Sequence, residues 1–535
     1  MEGVRKFWDT AIPSPKPSEM LRTFTQWNFL VHAEGFEGID CSLEGGQTIT
    51  WRSWSIQVIA TPGHSSDHVV FAAKRTGATS SAGGPLVLFA GDALSGPGKM
   101  WSSYMTDWDH WTDQGLQKAL DSLYRLASLD AAILFPEHGP PITRNTKEAL
   151  AATANAAAEV AFLKSFERYN ERLGDPPAYA LLNEKGLTTI PGDKPWAQLS
   201  THLFVTRNTY ALVSKDGPVL IVDAYDNAGR SIDEKFRQLQ AAHRLGPVEV
   251  VMASHAHYDH YSGIFSLSNR DAFQVWTLEQ VARPISDPHL LCAPFLDARP
   301  VKVDRRLRDG EEVTWREYRF RIHHLPAQTE FHMGVEVTID GRKCFFTGDN
   351  FYHVKQYSGS GGWSGRNRGW PLDYASSAAE VLEARPDWVL AEHGGAFVFN
   401  QEDFKRRVSW GNDAAAATDA LSPSGSYRRD WNPHRIHVEP LLQQAQPGQT
   451  LRGVLEIANS STRAEKLSIR LDGRGLISDI DEGSVTIGPG MTAHRNITFS
   501  VANDAPPGRH VFPLVVEEGR MEDGADSFLM IDVKK

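Results

Sequence analysis

Residues 254–263 read SHAHYDHYSG and follow directly on an apolar run, VEVVMA. Such a run is typical of a buried strand, and the polar residues begin where that strand would reach the edge of its sheet. In an extended segment, residues two apart point the same way, so His255 and His257 can hold one metal ion together. Asp259 and His260 lie beyond the turn and can reach a second ion. Imidazole and carboxylate groups are typical ligands of zinc and neighbouring divalent metals.

The residues around this stretch predict a sheet that is covered by helices. Upstream, residues 208–225 (NTYALVSKDGPVLIVDAY) predict two strands joined by the turn KDGP, and residues 231–245 (SIDEKFRQLQAAHRL) predict a helix. A strand, a helix and a second strand in that order indicate a sheet with helices packed on it. Downstream, residues 334–340 (GVEVTID) and 343–349 (KCFFTGD) predict further strands. We expect these elements to form one domain over residues 176–421.

The stretch HAHYDH after an apolar strand resembles the metallo-β-lactamase superfamily, and two later stretches continue the resemblance. FFTGDN (345–350) resembles the strand that ends in a metal-bridging aspartate, and LAEHGG (390–395) resembles the loop that supplies the last histidine. The resemblance implies an α/β (α+β) fold, the four-layer αββα sandwich, with metals at one edge. It also implies a binuclear site with His255 and His257 at the first metal, with Asp259, His260 and His393 at the second, and with Asp349 bridging the two.

The activity that this resemblance implies is that of a metal-dependent hydrolase (EC 3.-). We expect a metal-bound hydroxide to attack an ester, lactone, thioester or sulfate-ester type substrate, with two zinc ions per chain and manganese or iron as other candidate metals. Asp259 is also expected to orient the hydroxide, so Asp259 and Asp349 are the predicted catalytic residues. The alternative is a non-catalytic or weakly active binding protein of the same fold. The substrate itself is not readable, because specificity in a shared fold lies in the loops.

One loop departs from the family pattern. The family sequence PGH supplies the third histidine of the first metal, but residues 325–334 read LPAQTEFHMG and place Gln328 there. An amide oxygen is a weak zinc ligand beside imidazole. Glu330, which resembles the glutamate of a TE pair in the alkyl-sulfatase branch, and His332 are therefore the candidate third ligands. A first metal without a third protein ligand stays open. The residues expected to support the ligands or line the pocket are Gln328, Tyr258, Asp223 and His353.

Residues 1–174 resemble only the second half of the same fold, closed by a helix. TPGHSSDH, FAGDAL and FPEHGP contain His64, Asp92 and His138 in the order of the later motifs, with 46 residues (138 − 92) between the last two against 44 (393 − 349) later. This region has no HxHxDH stretch, so these side chains have too few partners to hold zinc in the usual manner. It is either a degenerate copy kept for packing or the end of a domain that begins upstream. Unpaired sheet edges, which are costly, favour the second.

The two remaining regions have different patterns. Residues 145–173 are rich in alanine and predict one long helix, with Asn145 as its cap and Gly174 at its end. Residues 434–535 contain short apolar runs, separated by turns about every 8–12 residues, and no helical pattern. That pattern predicts an antiparallel β-sandwich of the immunoglobulin-like type.

The totals of the 535-residue chain narrow the class of protein further. A net charge of −11 without a basic block argues against nucleic acid as a partner. No apolar run approaches the roughly 18 residues of a membrane span, and the N-terminal residues lack the apolar core of a signal peptide. We therefore expect a soluble and, by default, cytoplasmic protein that acts on a small molecule without a membrane partner, with homo-oligomerisation open. The three cysteines form no CxxC pair and are expected to be buried thiols.

Overall fold

The computed structural model describes most of the chain and divides it into two compact units. Among the described residues, the first unit holds 165–351 and 367–412, and the second holds 41–164 and 413–535. The predicted domain boundaries at 174, 421 and 434 are a finer division and stay predictions. The described residues are 41–64, 67–77, 84–101, 114–176, 181–182, 188–189, 196–206, 209–226, 231–293, 295–351, 367–393, 395–432, 434–518, 521–522 and 527–535.

In the second unit, the described residues before 165 form a five-stranded sheet and two helices, α1 (Gln114–Ala127) and α2 (Thr146–Leu163). The strands pair in chain order, the last pair parallel and the others antiparallel. Both helices bury one apolar stripe, which includes Leu123 on α1 and Val160 on α2. The five strands are β1 (Thr48–Trp51), β2 (Trp54–Ala60), β3 (Val69–Arg75), β4 (Val87–Gly91) and β5 (Ile133–Pro136).

The prediction of one helix over residues 145–173 is wrong, because the chain forms α2 and then a separate helix, α3 (Phe166–Leu173). Ser165 between them has an extended backbone, with φ −118° and ψ 115°, and its side chain accepts a hydrogen bond from Arg168 N–H. A serine in this conformation begins a new helix instead of continuing the old one. Asn145 does stand at the start of α2, but its side chain makes no capping hydrogen bond.

In the first unit, one sheet has eight strands that pair in reverse chain order from β13 to β6. Strands β6 to β10 are antiparallel and β10 to β13 are parallel. The predicted strand pair over 208–225 is confirmed as β9 and β10, and the predicted helix over 231–245 is confirmed as α4 (Ile232–His243). The strands are β6 (Thr188–Thr189), β7 (Ala197–Ser200), β8 (Leu203–Thr206), β9 (Thr209–Val213), β10 (Val219–Val222), β11 (Val248–Met252), β12 (Gln274–Leu278) and β13 (Arg305–Leu307).

The other sheet of the first unit has six strands in chain order, in which only β17 and β18 are parallel. Short helices α5 (Tyr258–Tyr261) and α6 (Glu279–Ser286) follow strands of the eight-stranded sheet. Longer helices α7 (Pro371–Ala384) and α8 (Gln401–Leu421) follow strands of this one. The strands are β14 (Glu312–Trp315), β15 (Tyr318–His324), β16 (Met333–Ile339), β17 (Arg342–Gly348), β18 (Trp388–Ala391) and β19 (Ala396–Val398).

The two sheets of the first unit pack face to face, with helices on their outer faces. Between the sheets, the rings of Tyr210 on β9 and Phe346 on β17 meet edge to face at 5.3 Å. On one outer side, Phe204 on β8 contacts the last residue of α4 at a ring distance of 4.7 Å. On the other, Lys343 Nζ donates to the last carbonyl of α7 at 2.7 Å. The order helix, sheet, sheet, helix confirms the predicted four-layer α/β architecture.

The described part of residues 434–535 contains two sheets and no helix; α9 (Tyr427–Asp430) precedes it. The sheets enclose an apolar core to which Leu455, Phe499 and Leu529 contribute. One sheet pairs β20 (Ile436–Glu439), β22 (Thr450–Ala458) and β25 (Thr492–Ser500). The other contains β21 (Leu442–Ala445), β23 (Glu465–Leu471), β24 (Ile480–Ile487), β26 (Gly508–Glu518), β27 (Met521–Glu522) and β28 (Ser527–Val533).

This β-rich region differs from the predicted antiparallel sandwich in one strand pair. β21 runs parallel to β28, with Leu442 opposite Met530, because the chain crosses from the three-stranded sheet to the other one directly after β20. All other strand pairs described in the two sheets are antiparallel. Its assignment to the immunoglobulin-like type stays a prediction.

Two expectations from the totals can be compared with the structure. Among the described residues, none of the helices has both the length and the apolar character that crossing a membrane requires. Cys292 and Cys344 are buried free thiols, as predicted, but Cys41 is exposed. The prediction of three buried thiols is therefore wrong at Cys41, whose neighbours through residue 48 are all exposed as well.

Gly348, at the end of β17, is a point where the backbone has no room for a side chain. Its φ is +54°, and a Cβ atom there would stand 2.3 Å from Nε2 of His332. Gly341, in the turn before β17, has a similar φ of +77° but no described atom within 4 Å of such a Cβ. Alanine substitutions at Gly348 and Gly341 therefore separate the free-energy cost of the backbone conformation from that of the steric overlap.

We predict that Gly348→Ala lowers the free energy of unfolding by about 2–5 kcal/mol, since left-handed backbone and overpacking add. Gly341→Ala carries only the backbone cost and is expected to lose about 1–2 kcal/mol. Calorimetry of the two variants beside the parent protein measures both losses. Equal losses would contradict the close contact between Gly348 and His332.

Candidate metal centre

His255 and His257 lie where β11 ends and the chain turns towards α5. Both are buried, and their rings meet edge to face with centroids 4.7 Å apart. His255 also forms a single antiparallel bridge with His332, which directly precedes β16 of the six-stranded sheet. The extended chain between the two imidazoles therefore places them side by side, as the i, i+2 spacing predicted.

The six-stranded sheet brings two more predicted residues to the same place. Asp349 directly follows β17, and His393 lies two residues beyond the end of β18. Because β17 and β18 are parallel neighbours, their carboxyl ends lie at one edge of the sheet. His260 and Asp259, on the first turn of α5, face this edge from the eight-stranded sheet.

Besides the group Asp223, His255 and His260, the described side chains here form two groups, each with three candidate ligand atoms within 4.8 Å of one another. Asp349 lies between the groups, with Oδ1 3.3 Å from His260 Nε2 and Oδ2 3.6 Å from His393 Nε2. This is the position that the sequence predicted for a bridging carboxylate. One group is His255, His257 and Asp349, and the other is Asp259, His260 and His393.

Three of these atoms, His255 Nε2, His260 Nε2 and Asp349 Oδ1, are buried without a geometrically good hydrogen bond to a described residue, although the last two lie 3.3 Å apart as an ion pair. A buried polar atom without a partner costs about 1–3 kcal/mol, so three at one point need an explanation. A divalent cation accepts exactly such lone pairs, and two imidazoles with a carboxylate suit zinc. The residues present therefore fit the metal that the fold family implies.

Asp223 supports the centre from behind, as the sequence predicted. Its carboxylate is completely buried and accepts hydrogen bonds from Ser254 N–H at 2.6 Å, from Ser254 Oγ at 2.6 Å and from His260 Nδ1 at 2.7 Å. The bond to Nδ1 fixes the ring of His260 and directs Nε2 at the centre. Ser254 precedes His255, so the same carboxylate also anchors the start of the histidine loop.

Asn367 is a supporting residue that the sequence reasoning missed. Its Oδ1 lies 2.8 Å from His257 Nε2, so that nitrogen donates to the amide and Nδ1 remains for a metal. Its backbone carbonyl accepts hydrogen bonds from Thr329 Oγ1 and Glu330 N–H, at 2.9 and 2.8 Å. The only signal in the sequence is one amide in the glycine-rich stretch GRNRGW (365–370), far from the ligands along the chain.

The two groups differ in their proton affinity without a metal. Burial lowers the pKa of His255 and of His257, so both imidazoles are neutral near pH 7. Burial also opposes protonation of His260, but Asp349, Asp259 and Asp223 outweigh it and raise its pKa well above the ordinary value. His393 has a raised pKa for the same reason, through Asp349 and Asp259. The second group therefore holds protons that a metal must displace.

Neither candidate for the third ligand of the first metal joins a group. The Glu330 side chain is 39% exposed and lies 3.5 Å from a guanidinium nitrogen of Arg368. His332 is completely buried, with its ring stacked on His255 at 4.7 Å and its pKa lowered by burial to about 3. The role of each as third ligand stays a prediction: Glu330 pairs with Arg368, and His332 lies against Gly348 with neither ring nitrogen hydrogen-bonded to a described residue. Gln328 is the loop residue that reaches Asp349, with Nε2 3.0 Å from Oδ2.

The remaining predicted pocket residues are only partly described. Tyr258 starts α5 and is half-buried, with its ring 6.5 Å from that of Tyr225. His353 lies outside the described residues. The structure therefore places Gln328, Tyr258 and Asp223 beside the ligands and leaves His353 untested.

The second unit contains its own histidine and aspartate pair. Asp92 lies 3.5 Å from His64 Nε2 and 2.7 Å from His138 Nδ1, and Trp101 stacks on His138 at 4.1 Å. None of the candidate ligand groups formed by described residues includes these side chains, and the expectation that they cannot hold zinc in the usual manner stays a prediction. The fourth candidate group, His437, Glu439 and Glu456, lies in the C-terminal β-region, where a 3.1 Å ion pair joins the first two.

We predict that Asp223→Asn weakens zinc binding about 10–100-fold, because the amide cannot hold both Ser254 and the protonated Nδ1 of His260 as a carboxylate does. Competition with a chromophoric chelator measures the affinity. Asp340→Asn is the matched control, since Asp340 pairs with His202 at 2.5 Å in the same unit but outside the centre. Unchanged affinity in Asp223→Asn, or an equal loss in the control, would contradict this role.

Residues 204–393 match the sequence profile of the metallo-β-lactamase superfamily. No curated protein matches the chain. Among solved structures, the subclass B3 metallo-β-lactamase BJP-1 of Bradyrhizobium japonicum is 18% identical over 40% of this chain and 90% of its own, with a TM-score of 0.32. The class B3 di-zinc metallo-β-lactamase LRA-12 from an Alaskan soil metagenome is 16% identical over 42% and 94%, with a TM-score of 0.29.

Proposed function

The chain belongs to the metallo-β-lactamase superfamily through residues 204–393, and from this premise we propose that it is a metal-dependent hydrolase. We further propose two zinc ions per chain and an ester, lactone, thioester or sulfate-ester type substrate. The observation that carries the proposal is the convergence of His255 Nε2, His260 Nε2 and Asp349 Oδ1, which are buried together without a hydrogen-bond partner among the described residues. A protein that only packed these side chains would not leave them so.

The proposed roles follow from the two groups. His255 and His257 would hold the first metal, and Asp259, His260 and His393 would hold the second, with Asp349 available to both. Divalent metal bound there supplies Lewis acidity and acidifies water. Asp223 and Asn367 keep the imidazoles of His260 and His257 oriented through the nitrogens that face away from the metals.

The exposure of the side chains supports one direction of approach for the substrate. The side chains of Asp259 and His393 are 22% and 34% exposed, whereas those of His255, His260 and Asp349 are at most 2% exposed. Substrate and water therefore approach past Asp259 and His393. The Asp259 carboxylate accepts a hydrogen bond from His393 Nε2 at 3.1 Å, and on this open side it can orient a water molecule for attack and receive its proton.

We predict that Asp349→Asn lowers kcat/KM for an activated aryl ester by about 100-fold or more, because the shared negative charge is lost. Asp92→Asn in FAGDAL is the matched control, since it makes the same change in the same sequence context in the second unit and leaves the turnover unchanged. Zinc analysis accompanies both variants, with about two ions per parent chain expected. A parent protein that neither binds zinc nor turns over any of the four substrate classes would sink the proposed function.

We predict that zinc binding to the metal-free chain releases protons at pH 7 and strengthens as pH rises. The reason is the raised pKa of His260 and of His393, since a protonated imidazole must lose its proton before that nitrogen can donate to a metal. Calorimetric titrations in two buffers of different ionisation enthalpy measure the number of protons released. Binding that is independent of buffer and of pH between 6 and 8 would contradict the assignment of these two residues.

A further inference from the structure

The chain contains two loops of the same design, and their comparison identifies the side chain at the first metal. In both sheets, two antiparallel pairings (β2–β3–β4 and β15–β16–β17) are followed by a parallel one. The loop between the first two strands ends in a histidine, His68 or His332. The third strand, β4 or β17, ends in a glycine, and an aspartate follows directly: Gly91–Asp92 or Gly348–Asp349.

The last histidine of each loop packs against the glycine that precedes the aspartate. A Cβ atom on Gly91 would stand 2.6 Å from His68 Nε2, and one on Gly348 would stand 2.3 Å from His332 Nε2. His68 Nε2 also accepts a hydrogen bond from the Asp92 backbone N–H at 3.1 Å. His332 therefore takes the place of His68 in the fold, but neither of its ring nitrogens has a hydrogen-bond partner among the described residues, so it does not repeat the hydrogen bond of His68.

An earlier residue of each loop, His64 or Gln328, faces the side chain of the aspartate instead. His64 Nε2 lies 3.5 Å from Asp92 Oδ2, and Gln328 Nε2 lies 3.0 Å from Asp349 Oδ2. Gln328 thus occupies, beside the working aspartate, the position that an imidazole occupies in the second unit.

Gln328 is fixed in this position by its surroundings. Its residue is 1% exposed, and its backbone N–H donates to Asn350 Oδ1 at 3.0 Å. Asn350 Nδ2 in turn donates to the Leu325 carbonyl at 2.8 Å. Gly369 lies so close to the loop that a Cβ there would stand 2.8 Å from the Gln328 carbonyl oxygen. The loop therefore has no freedom to move Glu330 or His332 into the place of Gln328.

The donor sets of the two metal positions are consequently unequal. The first has two imidazoles, a neutral amide and a share of Asp349, whereas the second adds the carboxylate of Asp259 to two imidazoles and the same share. A carboxylate binds zinc more strongly than an amide oxygen does. Moreover, Gln328 donates its Nε2 hydrogen to Asp349 and must turn its amide over, losing that bond, before its Oε1 can face a metal.

Resting on the proposed function, we infer that Gln328 makes the centre asymmetric. The position at Asp259, His260 and His393 fills first and tightly. The position at His255 and His257 fills second, at a zinc concentration at least about tenfold higher, because it lacks a third imidazole. Gln328 therefore sets the metal concentration at which the chain changes from the one-metal to the two-metal form.

The test is a zinc titration of the full metal-free chain, with a competing chromophoric chelator for affinity and native mass spectrometry for the number of ions. The parent chain is expected to bind two ions in two steps whose dissociation constants differ at least tenfold. Gln328→His is expected to tighten the second step at least tenfold and to leave the first step unchanged. Gln328→Ala is expected to weaken the second step alone. This variant tests the role of Gln328 if Gln328→His does not fold.

Glu330→Gln is the control, since Glu330 pairs with Arg368 at the surface and is expected to leave both constants unchanged. Two ions bound within threefold of each other in the parent chain would overturn the asymmetry while leaving the hydrolase proposal intact. A second step that is unaffected in both Gln328 variants, or weakened in Glu330→Gln, would overturn the role of Gln328. A parent chain that binds no zinc would overturn this inference and the proposed function together.

Discussion

The buried carboxylate of Asp349 is the constraint on which the first unit depends. It is 2% exposed, and burial alone would raise its pKa, but His260 and His393 outweigh burial and hold the pKa well below the usual range. An uncompensated charge at this depth would strongly destabilise the fold, so the buried carboxylate requires imidazoles close to it. The two sheets meet this requirement because each delivers part of the compensation from its own edge, His260 from one and His393 from the other.

The surroundings of Asp349 are arranged in layers that fix its position. Behind it, Gly348 has a left-handed backbone, and the ring of His332 fills the space that a side chain there would need. Beside it, Gln328 donates to the carboxylate at 3.0 Å. Across the centre, Asp223 holds His260 from the far side at 2.7 Å. These contacts hold several lone-pair donors, imidazole nitrogens and carboxylate oxygens, close together at one point. Metal binding needs this arrangement.

Much of this arrangement was predictable, because local patterns determine it. The stretch SHAHYDHYSG after a buried strand, and the strand ends at Asp349 and His393, specify which side chains reach one edge. The break between α2 and α3 was missed because strong alanine propensity hides a single serine that caps a new helix. The choice between Glu330 and His332 stays a prediction: spacing shows which residues are near, but only packing shows that the ring of His332 lies against Gly348 and that Asn367 contacts His257.

The most direct test of this account is a crystal structure of the zinc-loaded chain with anomalous diffraction at the zinc edge. The account predicts two peaks about 3.5–4 Å apart, both in contact with Asp349. One peak lies against His255, His257 and Gln328, and the other against Asp259, His260 and His393. Absence of zinc from these side chains under saturating metal, or a first ion held by Glu330 or His332, would contradict it.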